Sequence, residues 1–307
     1  MILPSARNSR WDFYCIWLQE HKECLFCIRF EKTISMSFQN KTVIITGASR
    51  GIGKAIGLRL AAEGANIVIA SKSVEENPKL GGTIFSAASE MESAGGKALA
   101  VQCDIRFEDQ IQNVIDKTVE KFGSIDILIN NASAINLMPT EQTEPKRFDL
   151  MYDINVRGTF MMSKACIPHL KKGTNAHILN LSPPINMDMK WFASHLAYTI
   201  SKYDMSMIAL GLSAELKKYN IAANTLWPRT TIATAAVQNL LGGEMLMKMS
   251  RTSEIIADAA FYILSKPSTT CTGNTFIDED VLAKEGITDL SKYSVVPGAH
   301  LYNDLFV

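Results

Sequence analysis

The chain has 307 residues, of which 47% are hydrophobic and 20% charged, and its 31 basic residues balance 31 acidic ones. This is the composition of a globular protein with enough apolar material for a buried core. A neutral chain gives no reason to expect nucleic acid or an anionic membrane surface as a partner, and no apolar run is long enough to cross a bilayer.

Residues 1–35 differ from the rest of the chain, since they mix acidic with basic residues and carry three of the six cysteines. They are too acidic for a mitochondrial presequence and lack the apolar core of a secretory signal. We expect a loosely attached segment or an upstream addition to the reading frame. The Cys24-x-x-Cys27 pair has no second pair nearby, so chance spacing is the better interpretation and no metal site is predicted.

From residue 41 onward, short apolar runs alternate with stretches of helical spacing. The apolar runs predict strands over 41–46, 66–70, 97–104, 126–133, 176–182, 221–228 and 273–278. The helical spacing predicts helices over 52–63, 83–94, 108–121, 145–171, 196–218 and 253–264. This alternation predicts one α/β domain over 36–285, doubly wound like a Rossmann fold around about seven parallel strands, followed by a tail over 286–307. Ligands of such folds bind at the carboxyl ends of the strands.

A glycine-rich turn, "TGASRGIG", follows the first strand and opens the first helix. Glycines permit a tight turn and a close approach of the backbone to a pyrophosphate, and the helix N-terminus offers it free N–H groups. A glycine-rich turn without a ligand is the alternative, but its place directly after a buried strand favours a dinucleotide. The candidate contacts in this turn are Thr46, Gly47, Ser49, Arg50, Gly51, Ile52 and Gly53.

The second strand ends without the carboxylate that would bond the ribose hydroxyls of NAD. It runs into Ala70-Ser71-Lys72-Ser73, and the first acid is Glu75. Arg50 and Lys72 are cations that suit a 2′-phosphate, so we favour NADP(H), with NAD(H) as the alternative. A solvated loop charge is the competing interpretation of Lys72.

Two more strand ends carry polar residues. Asp104 ends the third strand, where its carboxylate would accept from an adenine amino group or cap the next helix, and the sequence does not separate these roles. The fourth strand ends in "NNAS", Asn130 to Ser133. We expect its amides to tie neighbouring strand ends together and Asn131 and Ala132 to line the cofactor groove.

With these motifs in order, the chain resembles the short-chain dehydrogenase/reductase family over roughly residues 40–280. The matching landmarks are "TGASRGIG", "NNAS", "INV" with Asn155, Ser182 after the fifth strand, and Tyr198-x-x-x-Lys202. Four further stretches, "LSPP", "AYTISKY", "LWPRT" and "TGNTFID", resemble a narrower group in that family. Members of this group carry a C-terminal sterol-carrier domain, which is missing here.

The resemblance implies a catalytic set of Asn155, Ser182, Tyr198 and Lys202. Tyr198 would exchange a proton with the substrate oxygen, and Lys202, one helical turn on, would place its ammonium beside the phenol and favour the phenolate. Ser182 would hold the substrate oxygen by a hydrogen bond, and Asn155 would support a water that links Lys202 to solvent. Without the upstream glycine turn, ordinary structural roles would explain the same residues. Tyr198 and Lys202 would be a pair on a helix surface, Ser182 a hydroxyl at a strand end, and Asn155 a helix residue whose amide bonds locally.

The resemblance also implies that Tyr198, Lys202, Pro228 and Ile232 contact the cofactor. Most family members have Pro-Gly after the sixth strand where this chain has Pro228-Arg229, which puts the contact at Ile232 in doubt. The methionine-rich segment that follows indicates a hydrophobic, lipid- or steroid-like substrate, although packing or an oligomer contact explains it as well.

We therefore expect an enzyme that moves a hydride between NADP(H) and a carbonyl or secondary alcohol. The alternative is a catalytically silent NADP(H)-binding module or redox-responsive partner. Family members commonly form dimers or tetramers, which implies a homo-oligomer with contacts along helices 145–171 and 196–218. The narrower resemblance suggests a peroxisomal or mitochondrial location, with the cytosol as the alternative.

Overall fold

The computed structural model describes residues 38–307 except Lys79, together with two short strands, β1 (Tyr14–Cys15) and β2 (Cys27–Ile28). The chain divides into two compact units, Met1–Met36 and Ser37–Val307. In the first unit β1 pairs antiparallel with β2. The expectations for residues 1–35, including those for Cys24 and Cys27, otherwise lie outside the described residues and side chains.

The second unit is built on a seven-stranded sheet with the order β5-β4-β3-β6-β7-β8-β9, in which every pair of neighbours is parallel. The predicted doubly wound fold is thereby confirmed, and all seven predicted strands are present. The strands are β3 (Thr42–Thr46), β4 (Asn66–Ser71), β5 (Lys97–Gln102), β6 (Ile127–Asn130), β7 (Ala176–Leu181), β8 (Ile221–Trp227) and β9 (Thr275–Ile277).

Helices cover both faces of the sheet. They are α1 (Gly51–Ala61), α2 (Ile84–Ser93), α3 (Glu108–Phe122), α4 (Pro145–Met151), α5 (Thr159–Leu170), α6 (Lys190–Ala193), α7 (Leu196–Glu215), α8 (Gly243–Lys248), α9 (Glu254–Ser265) and α10 (Asp278–Lys284). Successive side chains of a strand point to opposite faces. Val43 and Ile45 accordingly join one core cluster with α1 and α9, whereas Ile44 joins the other with α3, α5 and α7. Burial on both faces explains why the strand sequences are continuously apolar.

The predicted helix over 145–171 consists of three segments. A π-helical stretch, Tyr152–Gly158, lies between α4 and α5. A wider turn of this kind is uncommon and occurs mostly near functional sites. It includes Asn155, which is fully buried.

Residues 286–307, expected as a tail, belong to the second unit and pack against its other segments. Isolated bridges join Arg251 to Ser294 and Thr230 to Asn303, and the Phe306 side chain is 2% exposed. Among the residues that the structure describes, no helix has the length and apolarity needed to cross a bilayer.

Candidate active site

The predicted site residues meet at the carboxyl edge of the sheet because its strands are parallel. The glycine turn follows β3, and Ser182 follows β7 directly. Asn130 is the last residue of β6, and Pro228 comes next after β8. Tyr198 and Lys202 reach the same edge from α7, the long helix between β7 and β8.

Close packing of the glycine turn explains its glycines. Gly47 and Gly51 have φ of 68° and 56°, a backbone region that favours glycine. Gly53 has ordinary backbone angles, but a Cβ there would lie 2.4 Å from Nδ2 of Asn131. The turn leads into α1, whose first turn receives no side-chain cap and contains no acidic residue. These free N–H groups and the positive end of the helix dipole fit a pyrophosphate.

The amides of "NNAS" tie strand ends together, as the sequence predicts. The Asn131 amide donates to the carbonyl oxygens of Thr46 and Gly47 at 2.9 and 3.1 Å. In return, Oγ1 of Thr46 accepts from the backbone N–H groups of Asn131 and Ala132, both at 3.0 Å. On the other side, Asn130 donates to Oδ1 of Asn180 in β7 at 2.9 Å. The edges of β3, β6 and β7 are thereby fixed to one another.

Arg50 turns toward the end of β4. Its guanidinium donates to Oγ of Ser73 at 2.8 Å and to the Gly82 carbonyl at 3.0 Å, while its buried Nε has no partner within the described part of the chain. Oγ of Ser49 lies 3.3 Å from Oγ of Ser71, and Lys72 is exposed beside them. A cation with an unused donor, two hydroxyls and a second cation form a cluster that suits an anionic group.

Asp104 is not a helix cap, since α3 begins at Glu108 and Phe107 occupies its N-cap. The Asp104 carboxylate instead accepts from the Arg106 guanidinium, with contacts of 2.9 and 2.6 Å. The hydrogen bonds from Arg106 lower the pKa of Asp104, and the charge of Lys72 contributes weakly in the same direction. The adenine contact stays a prediction for a carboxylate that already has a partner.

Tyr198 and Lys202 are buried on α7, with exposed fractions of 5% and 2%. No hydrogen bond joins them, although they lie one turn apart. The Lys202 ammonium donates to the Leu181 carbonyl at 2.6 Å and lies 5.0 Å from the ring centroid of Trp227. Burial is the largest influence on both groups, since it raises the pKa of Tyr198 and lowers that of Lys202 to about 7. The nearby charge of Asp304 adds to the rise in the pKa of Tyr198. It also acts to raise the pKa of Lys202, where it opposes the effect of burial.

Ser206 is a site residue that the sequence analysis missed. Its Oγ lies 2.9 Å from Oγ of Ser182 and 2.6 Å from the Pro183 carbonyl. The Ser206 hydroxyl has one proton to donate, and a carbonyl oxygen can only accept. Ser206 therefore donates either to the Pro183 carbonyl or to Oγ of Ser182. In the second arrangement the Ser182 proton is left for a substrate oxygen. The available signal was spacing, because Tyr198, Lys202 and Ser206 follow one another at four-residue intervals on a single helix face.

Asn155 braces the catalytic helix. Its amide oxygen accepts from the Ala134 N–H at 2.8 Å, and its nitrogen donates to the Ala134 carbonyl at 2.9 Å and to Oγ of Ser201 at 3.0 Å. Ser201 in turn donates to the Tyr198 carbonyl. The side chain thus joins the segment after β6 to the turn of α7 that carries both catalytic candidates, and the predicted water link to Lys202 stays a prediction.

An apolar cavity of about 540 Å³ opens beside Tyr198. Its walls include the predicted cofactor contacts Ile52, Pro228 and Ile232 and the methionines Met245 and Met249. The Arg229 side chain turns away toward Asp280, 2.7 Å from it. The wall is completed by a segment whose sequence has no periodicity to predict that position, Tyr302 to Leu305.

Comparison with known proteins gives one consistent result. The profile of the family described as short chain dehydrogenase matches residues 41–243. Hydroxysteroid dehydrogenase-like protein 2 of Xenopus tropicalis is 58% identical over 266 residues, which cover 87% of this chain and 63% of the relative. The protein of the same name from Homo sapiens is 54% identical over the same coverage. The narrower sequence resemblance is therefore confirmed, and the chain spans less than two thirds of these relatives.

A solved structure supports the same grouping. The crystal structure of a short chain dehydrogenase from Mycobacterium thermoresistibile has 55% sequence identity and a TM-score of 0.84, covering 88% of this chain and 96% of that one.

Proposed function

The chain belongs to the short-chain dehydrogenase family, and from that premise we propose that it is an NADP(H)-dependent oxidoreductase acting on an apolar carbonyl compound or secondary alcohol. The observation that carries the proposal is the position of Tyr198. Its buried phenol lines an apolar cavity whose walls include the predicted cofactor contacts Ile52, Pro228 and Ile232. A proton donor and a cofactor groove that share one apolar cavity are what hydride transfer to a carbonyl requires.

The charges at the end of β4 support NADP(H) over NAD(H). Arg50 and Lys72 offer positive charge there, and Ser71 and Ser73 offer hydroxyls, whereas the nearest site carboxylate, Asp104, is paired with Arg106. A 2′-phosphate would find hydrogen-bond donors at this place. The ribose hydroxyls of NAD would lack the unpaired carboxylate that usually accepts from them.

The bound cofactor would supply the hydride, and the chain's own residues manage the proton. Burial raises the pKa of Tyr198, so the phenol keeps its proton and acts as the acid toward a carbonyl oxygen. Ser182 donates to the same oxygen when Ser206 donates to Ser182. Burial lowers the pKa of Lys202 to about 7, so its amine can gain or lose a proton near neutral pH during turnover. The phenol is therefore already protonated before the cofactor binds, which is the state that reduction of a carbonyl requires.

The proposal is tested by following NADPH consumption with a panel of fatty and steroid ketones, using wild type and Tyr198→Phe. We expect the variant to lose about 10²–10⁴-fold in kcat/KM and to keep its affinity for NADPH, measured by calorimetry. Equal rates in the two proteins would contradict the proposal. Tight NADPH binding without turnover of any substrate would indicate a cofactor-binding module.

The apolar substrate class is part of the proposal, supported by the cavity walls and by Met245 and Met249, which adapt to irregular apolar ligands. By the resemblance we also propose a homo-oligomer located in peroxisomes or mitochondria, with the cytosol as the alternative. Light scattering of the purified protein and fractionation of cells that express the full chain test these two points.

A further inference from the structure

The segment Tyr302–Leu305 is fixed to the site by backbone hydrogen bonds. The Tyr302 N–H donates to the Met249 carbonyl at 2.9 Å, and the Tyr302 carbonyl accepts from the Thr231 N–H at 2.9 Å. The Asp304 N–H donates to the Arg229 carbonyl at 3.0 Å. The segment therefore runs beside residues 229–231, directly after β8, and its side chains have defined positions in the cavity wall.

The aromatic side chains of Trp227 and Phe306 fix residues 305 and 306 in place. The Trp227 indole N–H donates to the Leu305 carbonyl at 2.8 Å. Phe306 is 2% exposed, and its ring centroid lies 6.3 Å from that of Tyr198 and 6.0 Å from that of Trp227. Because Phe306 is buried with its ring beside that of Tyr198, the segment is packed against α7.

Asp304 gives this wall its chemical character. Among the described residues that line the cavity, the side chains that can ionise are Tyr198, Tyr302 and Asp304, and none is a lysine, arginine or histidine. One Asp304 oxygen accepts from the Leu305 N–H at 2.6 Å, and the carboxylate has no ion-pair partner in the described part of the chain. An acceptor with free capacity thus lies in an apolar cavity whose lining offers an anion no cation. Lys202 is not among the lining residues, although its charge acts on Asp304.

The surrounding charges have opposing effects on this carboxyl group. Burial raises the pKa of Asp304 to about 7, the charge of Asp278 raises it too, and Lys202 lowers it. The group is therefore half-ionised near neutral pH and becomes a carboxylate above it. At pH 8 the carboxylate form predominates.

We propose that Asp304 is a specificity-determining residue, which selects carbonyl substrates with a hydroxyl as their second polar group and rejects those with a carboxylate. A hydroxyl donates to the free oxygen of Asp304 in a charge-assisted hydrogen bond. A carboxylate would meet a like charge in an apolar cavity without a compensating cation, which is an effective means of exclusion. The inference rests on the proposed function, since it assumes that the carbonyl group lies beside Tyr198.

The test uses three linear methyl ketones of equal chain length that end in a methyl, a hydroxymethyl or a carboxylate group. With wild type and NADPH at pH 8, kcat/KM is expected to be about 100-fold higher for the hydroxyl ketone than for the carboxylate ketone. Asp304→Asn keeps the size and the acceptor for the Leu305 N–H but removes the charge. It is expected to reduce that ratio about tenfold, and any effect of the lost charge on Tyr198 and Lys202 cancels because both rates in the ratio come from the same variant.

An unchanged ratio in Asp304→Asn would overturn the inference, as would a loss of NADPH affinity, which would assign Asp304 to the cofactor. Asp304→Ser repeats the comparison with a smaller neutral side chain, in case the amide disturbs the turn.

A binding measurement separates this inference from the proposed function. Calorimetry on the wild-type complex with NADPH compares long-chain alcohols with fatty-acid anions of equal length, which are not reduced. Tighter binding of the alcohol at pH 8, with a difference that shrinks at pH 6 in wild type but not in Asp304→Asn, supports the role of Asp304. Equal affinity in wild type overturns it. If binding discriminates but no ketone is turned over, the proposed function fails and the assignment of Asp304 stands.

Discussion

The two halves of the sheet's carboxyl edge build their sites in different ways. At β3–β5 the cofactor groove is shaped by backbone geometry and by amides that bond to neighbouring carbonyls, as Asn131 does to Thr46 and Gly47. At β7–β9 the site contains ionisable groups taken out of water, among them Tyr198, Lys202 and Asp278. In the proposed function, the first half is a rigid cradle for the anionic part of the cofactor, whereas the second half handles the proton.

The pKa shifts express the same difference. In the cradle, hydrogen bonds from Arg106 keep Asp104 ionised by lowering its pKa. In the second half, burial lowers the pKa of Lys202 to about 7 and raises that of Asp304 to about 7. Groups whose pKa lies near 7 can exchange protons at physiological pH. Shifting their pKa values in this way costs free energy of folding. Variants on the two sides should therefore fail in different ways.

The largest expected effect comes from Lys202→Met, which replaces a buried amine by an apolar chain of similar length. The activity should fall about 10²-fold or more, because the acid–base function of Tyr198 loses its neighbouring charge. Steady-state rates with a ketone and NADPH measure this loss. The comparison between the two halves predicts that the same variant gains stability at low pH.

The sign of the stability effect follows from linkage. The folded pKa of Lys202, about 7, lies below its usual value of 10.5, so folding favours the neutral amine. The resulting cost is absent above the unfolded pKa, grows as the pH falls from 10.5, and is complete below about pH 7. Thermal unfolding should show that Lys202→Met gains more stability relative to wild type at pH 6 than at pH 9. A difference that does not vary with pH would mean that Lys202 is not desolvated as the structure shows.

A smaller effect, confined to binding, is expected from Arg50→Met. Loss of a charge-assisted hydrogen bond to a phosphate should weaken NADPH binding about 10–100-fold and NADH binding much less, with kcat almost unchanged. Calorimetry with both nucleotides measures the change. Lys54→Met is the matched control, because Lys54 is also a cation on the glycine-turn side but is paired with Glu90 at 2.6 Å. Equal losses in the two variants, or equal losses of NADPH and NADH, would refute a specific contact between Arg50 and the 2′-phosphate.

The sequence predicted the strands and the glycine turn because their signals are local. Buried strands of a parallel sheet are continuous apolar runs, so all seven strands were recognised, and the glycine turn is a motif of eight residues. The wider π-helical turn at Asn155 was not predictable, because residues 145–171 keep a helical pattern throughout. The absence of a hydrogen bond between Tyr198 and Lys202 was equally hidden, since it depends on where the Leu181 carbonyl lies.

Asp304 shows the limit most clearly. It lies in an aperiodic segment that the sequence assigns to a tail, and only the fold brings that segment beside residues 229–231. Ser206 is the intermediate case, since its four-residue spacing from Lys202 was visible but a serine on a helix has many ordinary explanations. Local motifs therefore indicate the family and a nucleotide cofactor, whereas the position of Asp304 beside the cavity comes from long-range packing.

The smallest effect, and the sharpest test of the cradle's rigidity, is expected from Gly53→Ala. Its new Cβ would lie 2.4 Å from Nδ2 of Asn131 and 3.0 Å from the Gly47 carbonyl oxygen. The amide that ties β3 to β6 would have to move, which should cost about 1–3 kcal/mol in the free energy of unfolding. Gly211→Ala is the matched control, since this exposed glycine of α7 has no atom within 4 Å of an added Cβ. The control should gain about 0.5–1 kcal/mol, because alanine favours a helix interior over glycine. Urea denaturation of both variants measures these changes in the free energy of unfolding, which are expected to have opposite signs. A stabilised Gly53→Ala would show that Asn131 and the glycine turn can move apart without cost, contrary to a rigid cradle.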